Sequence, residues 1–142
     1  MGAQNSQDLY ALTEENLHIA LTLILNLTGL PSHQIQIKRV KVNEIDGEPV
    51  YVGTHILGEE TKPKMVLVHG FGSSSPLFYN IIHTLTEHFC VIMYDHVGLG
   101  CSSRPSDYSK DKSPQEQIEY FVGYFEKWRQ QMRYEFLRSG EE

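Results

Sequence analysis

Val-Leu-Val-His-Gly-Phe-Gly at residues 66–72 and Tyr-Asp-His-Val-Gly-Leu-Gly-Cys-Ser-Ser-Arg-Pro at residues 94–105 decide the fold of this chain. The first stretch begins within an uninterrupted apolar run at 65–68, and the second begins directly after another such run at 90–93. Runs of this kind are found in strands that helices cover on both faces. Between the two runs, apolar residues recur at helical spacing over 77–89. This order of strand, helix and strand predicts an α/β layer structure with a right-handed crossover.

The preceding segment predicts a helix and a β-hairpin. Thr13 can cap a helix that ends at Gly29-Leu30-Pro31. Asp46-Gly47 is a hairpin turn signal between two runs of alternating apolar residues. In the first run the alternation changes phase near Lys38 and Arg39, which predicts a β-bulge there. In the second run, one face is expected to consist of Val50, Val52, Thr54 and Ile56.

The last predicted element is a long helix that begins at the sequence Ser113-Pro114-Gln115-Glu116. Ser and Glu three positions apart form a capping box, and Pro is favoured at the first helical position. The apolar face of this helix is expected to pack on the sheet through Ile118, Phe121, Val122, Phe125, Trp128 and Met132.

Composition limits the classes of partner and the compartment. The 142 residues include 12 basic and 18 acidic side chains, and the formal net charge of -6 disfavours nucleic acid and anionic lipid. Two cysteines with no secretory signal before them favour reduced thiols over a disulfide. We therefore expect a cytoplasmic protein, with a large cytoskeletal or membrane-associated assembly as its setting.

Contact with a membrane depends on the N-terminus. The most apolar stretch, 17–30, contains four polar side chains and is shorter than the roughly 20 apolar residues that span a bilayer. The first six residues match the M-G-x-x-x-[ST] pattern of N-myristoylation, in which Gly2 is acylated. A membrane is an expected partner only if Gly2 carries that acyl chain.

The sequence predicts neither a metal nor a cofactor. His83 and His88 are five positions apart in a predicted helix and therefore point to different faces. Gly98-x-Gly100 lacks the third glycine of a dinucleotide-binding loop, because Ser103 stands in that position and no helix opens after it.

The loop after the first buried strand carries candidate functional residues, His69, Gly70, Phe71 and Gly72. Glycines in such a loop let the main chain approach a developing negative charge closely. The alternative is a tight turn in which the His69 imidazole only bonds the backbone. Both interpretations stay open at the level of sequence.

The loop after the second buried strand contains a turn motif formed by Asp95, Gly98, Gly100 and Ser102. A carboxylate at the end of a strand can accept hydrogen bonds from the amides of the next turn, while the glycines take conformations that other residues resist. This pattern predicts an architectural role for the motif.

These loops and the Phe-Val-x-x-x-Glu-Lys-Trp-Arg helix at 121–129 resemble one abhydrolase subfamily of the α/β-hydrolases, that of a lipid-droplet lipolysis co-activator and its lysophospholipase relatives. The resemblance implies the N-terminal half of an α/β-hydrolase fold: a helix, a β-hairpin, then β-α-β-α, with a mixed sheet and an exposed third-strand edge. The implied domains are an N-terminal helical extension at 1–32, a partial hydrolase domain at 33–133 and a short polar tail at 134–142.

The resemblance also implies roles for individual residues. The loop at 69–72 is expected to be the remnant of an oxyanion loop, with the Phe71 backbone N–H as its first candidate donor and Gly72 next to it. In the family, the next strand ends in Gly-His-Ser-x-Gly-Gly, where Ser is the nucleophile or, in the co-activator, is replaced. If Gly140 is aligned with the first glycine of that motif, Glu142 stands in the place of Ser, so no catalytic residue is expected in this chain.

A fifth strand normally lies beside the third in this family, and its absence would leave the strand Met65–Val68 with an open edge. Open edges invite strand pairing, so another protein chain or a second copy is expected to cover it. The expected function is that of a catalytically inactive, hydrolase-derived structural or interaction subunit of a larger assembly. The alternative is the N-terminal fragment of a serine lipid esterase or lysophospholipase.

Overall fold

The computed structural model describes residues 14–139. The acylation pattern at Gly2, the helix cap at Thr13 and the alignment of Gly140 and Glu142 therefore lie outside the described residues. The elements are α1 (Glu14–Asn26), β1 (Ile35–Ile45), β2 (Glu48–Leu57), β3 (Lys64–Val68), α2 (Tyr79–Thr86), β4 (Cys90–Tyr94) and α3 (Pro114–Ser139). Helix α3 thus continues through most of the segment that was expected to be a polar tail.

The four strands form one mixed sheet in the order β1-β2-β4-β3. Strand β2 pairs antiparallel with both β1 and β4, whereas β3 pairs parallel with β4. The mixed sheet and the place of β3 at its edge confirm the predicted fold class. Strand β4 is buried along its whole length, as its apolar sequence predicts.

The β1–β2 hairpin turns at Asp46 and Gly47, whose φ angles of 51° and 81° are those of the predicted turn. The β-bulge lies between Lys41 and Asn43, so its prediction near Lys38 and Arg39 is wrong. The apolar residues there change phase because both faces of β1 are covered. Ile37 packs on the α1 and α2 side of the sheet, while Val40 packs on the α3 side.

Helix α3 covers one face of the sheet with a buried stripe that includes Tyr124, Trp128 and Met132. The placement of Ile118 and Val122 on this face is wrong, since their side chains are 58% and 59% exposed. Val122 lies off the buried stripe, and Ile118 lies about one turn before Phe121, which packs against the stripe.

The capping box at the start of α3 is confirmed, because Ser113 N donates to Glu116 Oε2 over 2.8 Å and Glu116 N donates to Ser113 Oγ over 3.3 Å.

Helices α1 and α2 cover the other face, where Leu25, Leu57, Ile82, Val91 and Met93 are buried together. The helix expected from the apolar spacing over 77–89 is preceded by a 3₁₀ turn, Ser75–Phe78, and is α-helical from Tyr79. The tighter turn changes the register, so Leu77 and Ile81 are exposed while Ile82 is buried.

No helix within residues 14–139 combines the length and the apolar character needed to cross a membrane. Cys90 and Cys101 are both buried free thiols.

Candidate functional site

The candidate site lies where β3 and β4 end. Because the two strands are parallel, the loops that follow Val68 and Tyr94 emerge at the same edge of the sheet. They contact each other directly, since the backbone N–H of His96 donates to Nε2 of His69 over 3.0 Å. The topology therefore brings the two loops singled out in the sequence together.

The His69 side chain holds these loops in place. Since the His96 amide can only donate, Nε2 of His69 must accept, and the imidazole proton is assigned to Nδ1. Nδ1 lies 2.8 Å from the carbonyl oxygen of Gly70 and donates to it. His69 is buried, and both of its ring nitrogens are bound to backbone. This geometry corresponds to the tight-turn interpretation of His69.

Phe71 and Gly72 form the outer part of the first loop. The Phe71 side chain is fully exposed, and Gly72 has a φ of 68°. Within the described residues, neither amide donates a hydrogen bond. Two free N–H groups in adjacent positions are the kind of donors that an oxyanion hole requires. The role of Phe71 as an oxyanion donor stays a prediction.

The carboxylate of Asp95 organises the second loop. Its Oδ1 accepts from Ser75 N over 2.8 Å, and its Oδ2 accepts from Cys101 N over 3.0 Å. Burial raises the pKa of Asp95, but the neighbouring His55 imidazole and these two amides lower it more, to about 2. Asp95 is therefore an ionised, fully buried carboxylate that joins two turns.

Ser102 and the glycines of the turn motif complete this arrangement. Ser102 Oγ donates to the carbonyl of Asp95 over 2.6 Å and accepts from Gly53 N over 2.9 Å. Gly98 and Gly100 have φ angles of 83° and 52°, and a Cβ on Gly100 would overlap the Asp95 carboxylate. The four residues of the motif are thus brought together, and they attach the loop to β2.

A third set of residues in this region was not anticipated. His55, Asp95 and Cys101 are all buried, and their potential ligand atoms lie within 4.8 Å of one another. The residues are distant in sequence, and only the pairing of β2 with β4 brings His55 to Asp95. The one sequence signal was a histidine in a strand whose apolar neighbours predict burial.

This buried set contains an imidazole without a hydrogen-bond partner and a thiol with a raised pKa. His55 Nε2 lies 3.7 Å from Asp95 Oδ2, which is too far for a hydrogen bond, and neither ring nitrogen of His55 has a partner. Burial, and after it the Asp95 charge, raises the pKa of the Cys101 thiol to about 12. Cys101 is therefore a protonated thiol beside an ionised carboxylate, which excludes a thiolate nucleophile in this state.

An aromatic groove of about 410 Å³ adjoins the first loop. Its walls include Phe71, Leu99, Tyr108, Tyr120 and Phe121, and Arg104 contributes a cationic group. Among the described residues that line this groove, none is Ser, Cys, Thr or Lys, the usual nucleophiles of acyl transfer. The groove can hold an apolar group beside two backbone donors, but it offers nothing to attack a carbonyl.

Comparisons with known proteins agree with this geometry. A family model described as the alpha/beta hydrolase fold matches residues 63–135. A probable 1-acylglycerol-3-phosphate O-acyltransferase of Oryza sativa is 40% identical over 83 residues, which cover 58% of this chain and 20% of that protein. An abhydrolase domain-containing protein of Caenorhabditis elegans is 27% identical over 117 residues, which cover 82% of this chain and 24% of the relative.

The solved structures that resemble this chain show the same fold. The crystal structure of a putative lipase from Acinetobacter baumannii superimposes with a TM-score of 0.63 at 20% identity. The match covers 82% of this chain and 34% of the lipase. The chain thus spans about a third of that structure and less than a quarter of the rice and nematode relatives.

Proposed function

The chain belongs to the α/β-hydrolase family, and on that premise we propose that it is a catalytically inactive interaction subunit that pairs along β3 with a strand of another protein. The observation that carries this proposal is the open edge of β3. The sheet order places β3 at one end, and no strand within residues 14–139 pairs with its outer side.

The backbone of β3 is oriented for such pairing. The Pro63 carbonyl accepts a hydrogen bond from Cys90 N over 2.9 Å, so it points toward β4. Because successive residues of a strand direct their backbone groups to opposite sides, the N–H and C=O groups of Val66 and Val68 point toward the open edge. These groups form a short template for one additional strand.

The side chains support the same conclusion. Val66 and Val68 are each 41% exposed, on the face of the sheet that carries α3. The opposite sheet edge, β1, is protected by a bulge and by several basic side chains, which are common devices against unwanted pairing. Strand β3 has only Lys64 at its start. The two edges therefore differ in the way expected if only β3 receives a partner.

The proposed partner is a different protein rather than a second copy, because the proposed strand continues the parallel β3–β4 arrangement. Two β3 edges related by a two-fold axis would pair antiparallel. A partner strand that continues the parallel β3–β4 arrangement is therefore not the β3 edge of a second copy related by a two-fold axis, and it comes from another segment. The side chains of such a strand would lie beside Val66 and Val68 and remove part of their exposed apolar surface from water.

A photo-cross-linking experiment tests the pairing. With p-benzoylphenylalanine at Val68 of the full chain in its native host, we expect a cross-link to one defined protein. The double variant Val66→Lys and Val68→Lys should abolish it, whereas Val122→Lys, which changes an equally exposed valine on α3, should not. Cross-links to a second copy, or an unchanged cross-link in the double variant, would contradict the proposal.

The second candidate is the N-terminal part of a serine lipid esterase. It is supported by the free Phe71 and Gly72 amides beside an aromatic groove and by the acyltransferase name of the rice relative. An antibody against residues 14–139 distinguishes the two candidates. Labelling of the precipitated polypeptide by a fluorophosphonate probe would favour the esterase, while precipitation of an unlabelled polypeptide favours the interaction subunit.

A further inference from the structure

We propose that His55, Asp95 and Cys101 form a binding site for one divalent transition-metal ion of the zinc class. The three residues come from three separate segments: β2, the end of β4 and the loop after it. Their potential ligand atoms lie within 4.8 Å of one another, and His55 Nε2 is 3.7 Å from Asp95 Oδ2. In a tetrahedral zinc site, with bonds of about 2.0–2.3 Å, neighbouring ligand atoms are about 3.5 Å apart. Small side-chain movements would therefore bring all three into range.

The unpaired histidine points to a ligand. His55 is completely buried, and neither of its ring nitrogens has a hydrogen-bond partner among the described residues. A buried imidazole without a partner loses its hydrogen bonds to water and gains nothing in return. A metal ion bound through one ring nitrogen would supply the missing interaction.

The charges of the three ligands match a divalent cation. A neutral imidazole, a carboxylate and a thiolate together carry two negative charges, so a bound dication leaves the buried site neutral. The Cys101 thiol would give up its proton when the ion binds, as thiol ligands of such metals do. Thiolate and imidazole ligands select zinc and related ions over magnesium and calcium, which prefer oxygen.

The surrounding structure already holds the ligands. Asp95 is fixed by the amides of Ser75 and Cys101. Gly53 provides room, because a Cβ there would lie 2.8 Å from Cys101 Cβ and 3.0 Å from Asp95 Oδ2. A cavity of about 700 Å³ borders both His55 and Cys101, so an ion can enter and water can serve as a fourth ligand.

Cobalt titration of the metal-free, reduced full chain tests the site. We expect one Co²⁺ per chain, with a sulfur-to-cobalt charge-transfer band in the near ultraviolet that Zn²⁺ abolishes and Mg²⁺ does not. Cys101→Ser should remove the band, and His55→Gln should weaken binding at least about tenfold. Cys90→Ser, which changes the other buried thiol, is the matched control and should keep both the band and the affinity.

X-ray absorption of the zinc-loaded wild-type chain gives an answer even if a variant does not fold. One sulfur neighbour at about 2.3 Å is expected. Coordination by nitrogen and oxygen alone, the absence of stoichiometric binding, or a charge-transfer band that survives in Cys101→Ser would each overturn the proposal.

Discussion

Trp128 donates a hydrogen bond from its indole Nε1 to Oγ1 of Thr54 over 2.9 Å, and both side chains are buried. The two residues are 74 positions apart, and the bond joins the middle of α3 to the central part of β2. The indole ring also meets Tyr94 of β4 edge to face, with ring centres 4.9 Å apart. Trp128 thus attaches α3 to two strands.

Replacement of this residue should be among the most destabilising changes in the chain. Trp128→Ala is expected to lower the free energy of unfolding by about 3–5 kcal/mol, because it leaves a cavity and removes the hydrogen bond that the buried Thr54 hydroxyl accepts. Urea denaturation followed by circular dichroism measures the change. Ile118→Ala on the same helix is the control and should stay within about 0.5 kcal/mol of the wild type. Equal, small effects of both changes would show that α3 does not pack as described.

The capping box at the start of α3 gives a smaller, local effect. Ser113→Ala removes the Oγ that accepts from Glu116 N, and it should cost about 1 kcal/mol of stability. Ser106→Ala, in the preceding loop, is the matched control, because this serine is exposed. A cost for Ser106→Ala as large as that for Ser113→Ala would argue against the cap.

The two glycines of the turn motif should differ in their tolerance of a methyl group. Both have positive φ, so a Cβ costs roughly 1–2 kcal/mol in conformational strain at either position. At Gly100 the Cβ would also overlap the Asp95 carboxylate, whereas at Gly98 nothing lies within 4 Å. Gly100→Ala should therefore be clearly more destabilising than Gly98→Ala in thermal denaturation. The reverse order would mean that Asp95 does not occupy this position.

The isolated chain should show no esterase activity. Its aromatic groove contains no nucleophilic side chain among the described residues, so short-chain nitrophenyl esters and lysophospholipid should not be hydrolysed above background. A fluorophosphonate probe, with a complete serine hydrolase as the positive control, should leave every serine unlabelled. Specific labelling of one serine would instead establish a nucleophile in this chain.

The sequence was sufficient for the features that depend on local pattern. The strands around Val66 and Ile92, the Asp46-Gly47 turn and the Ser113 cap follow from apolar runs, turn residues and spacing, and the structure contains all of them. Of the two strands, only the one around Ile92 is buried on both faces as its apolar run predicts, because the strand around Val66 lies at the sheet edge. The resemblance to α/β-hydrolases added the order of the strands. The edge position of β3 could be expected only from that resemblance, because local pattern does not specify which strands are neighbours.

The features that depend on register could not be predicted. His55 meets Asp95 because β2 and β4 pair with Thr54 opposite Tyr94, and nothing in either strand specifies that alignment. The predicted position of the bulge was wrong for a related reason. Both faces of β1 are covered, so its apolar residues lie on both faces, and their order in the sequence resembles the break in alternation that a bulge produces. Ile118 has the right period for the core face, but it lies beyond the part of α3 that reaches the sheet.

The strand order also determines when β3 can be ordered during synthesis. Its one partner among the described strands, β4, is made later and must itself dock on β2. The β1–β2 hairpin needs only local contacts and can close first, whereas β3 waits until the helix and strand after it have left the ribosome. A nascent chain therefore carries an unpaired apolar segment at Met65–Val68 for this interval, which leaves that segment open to pairing with other chains.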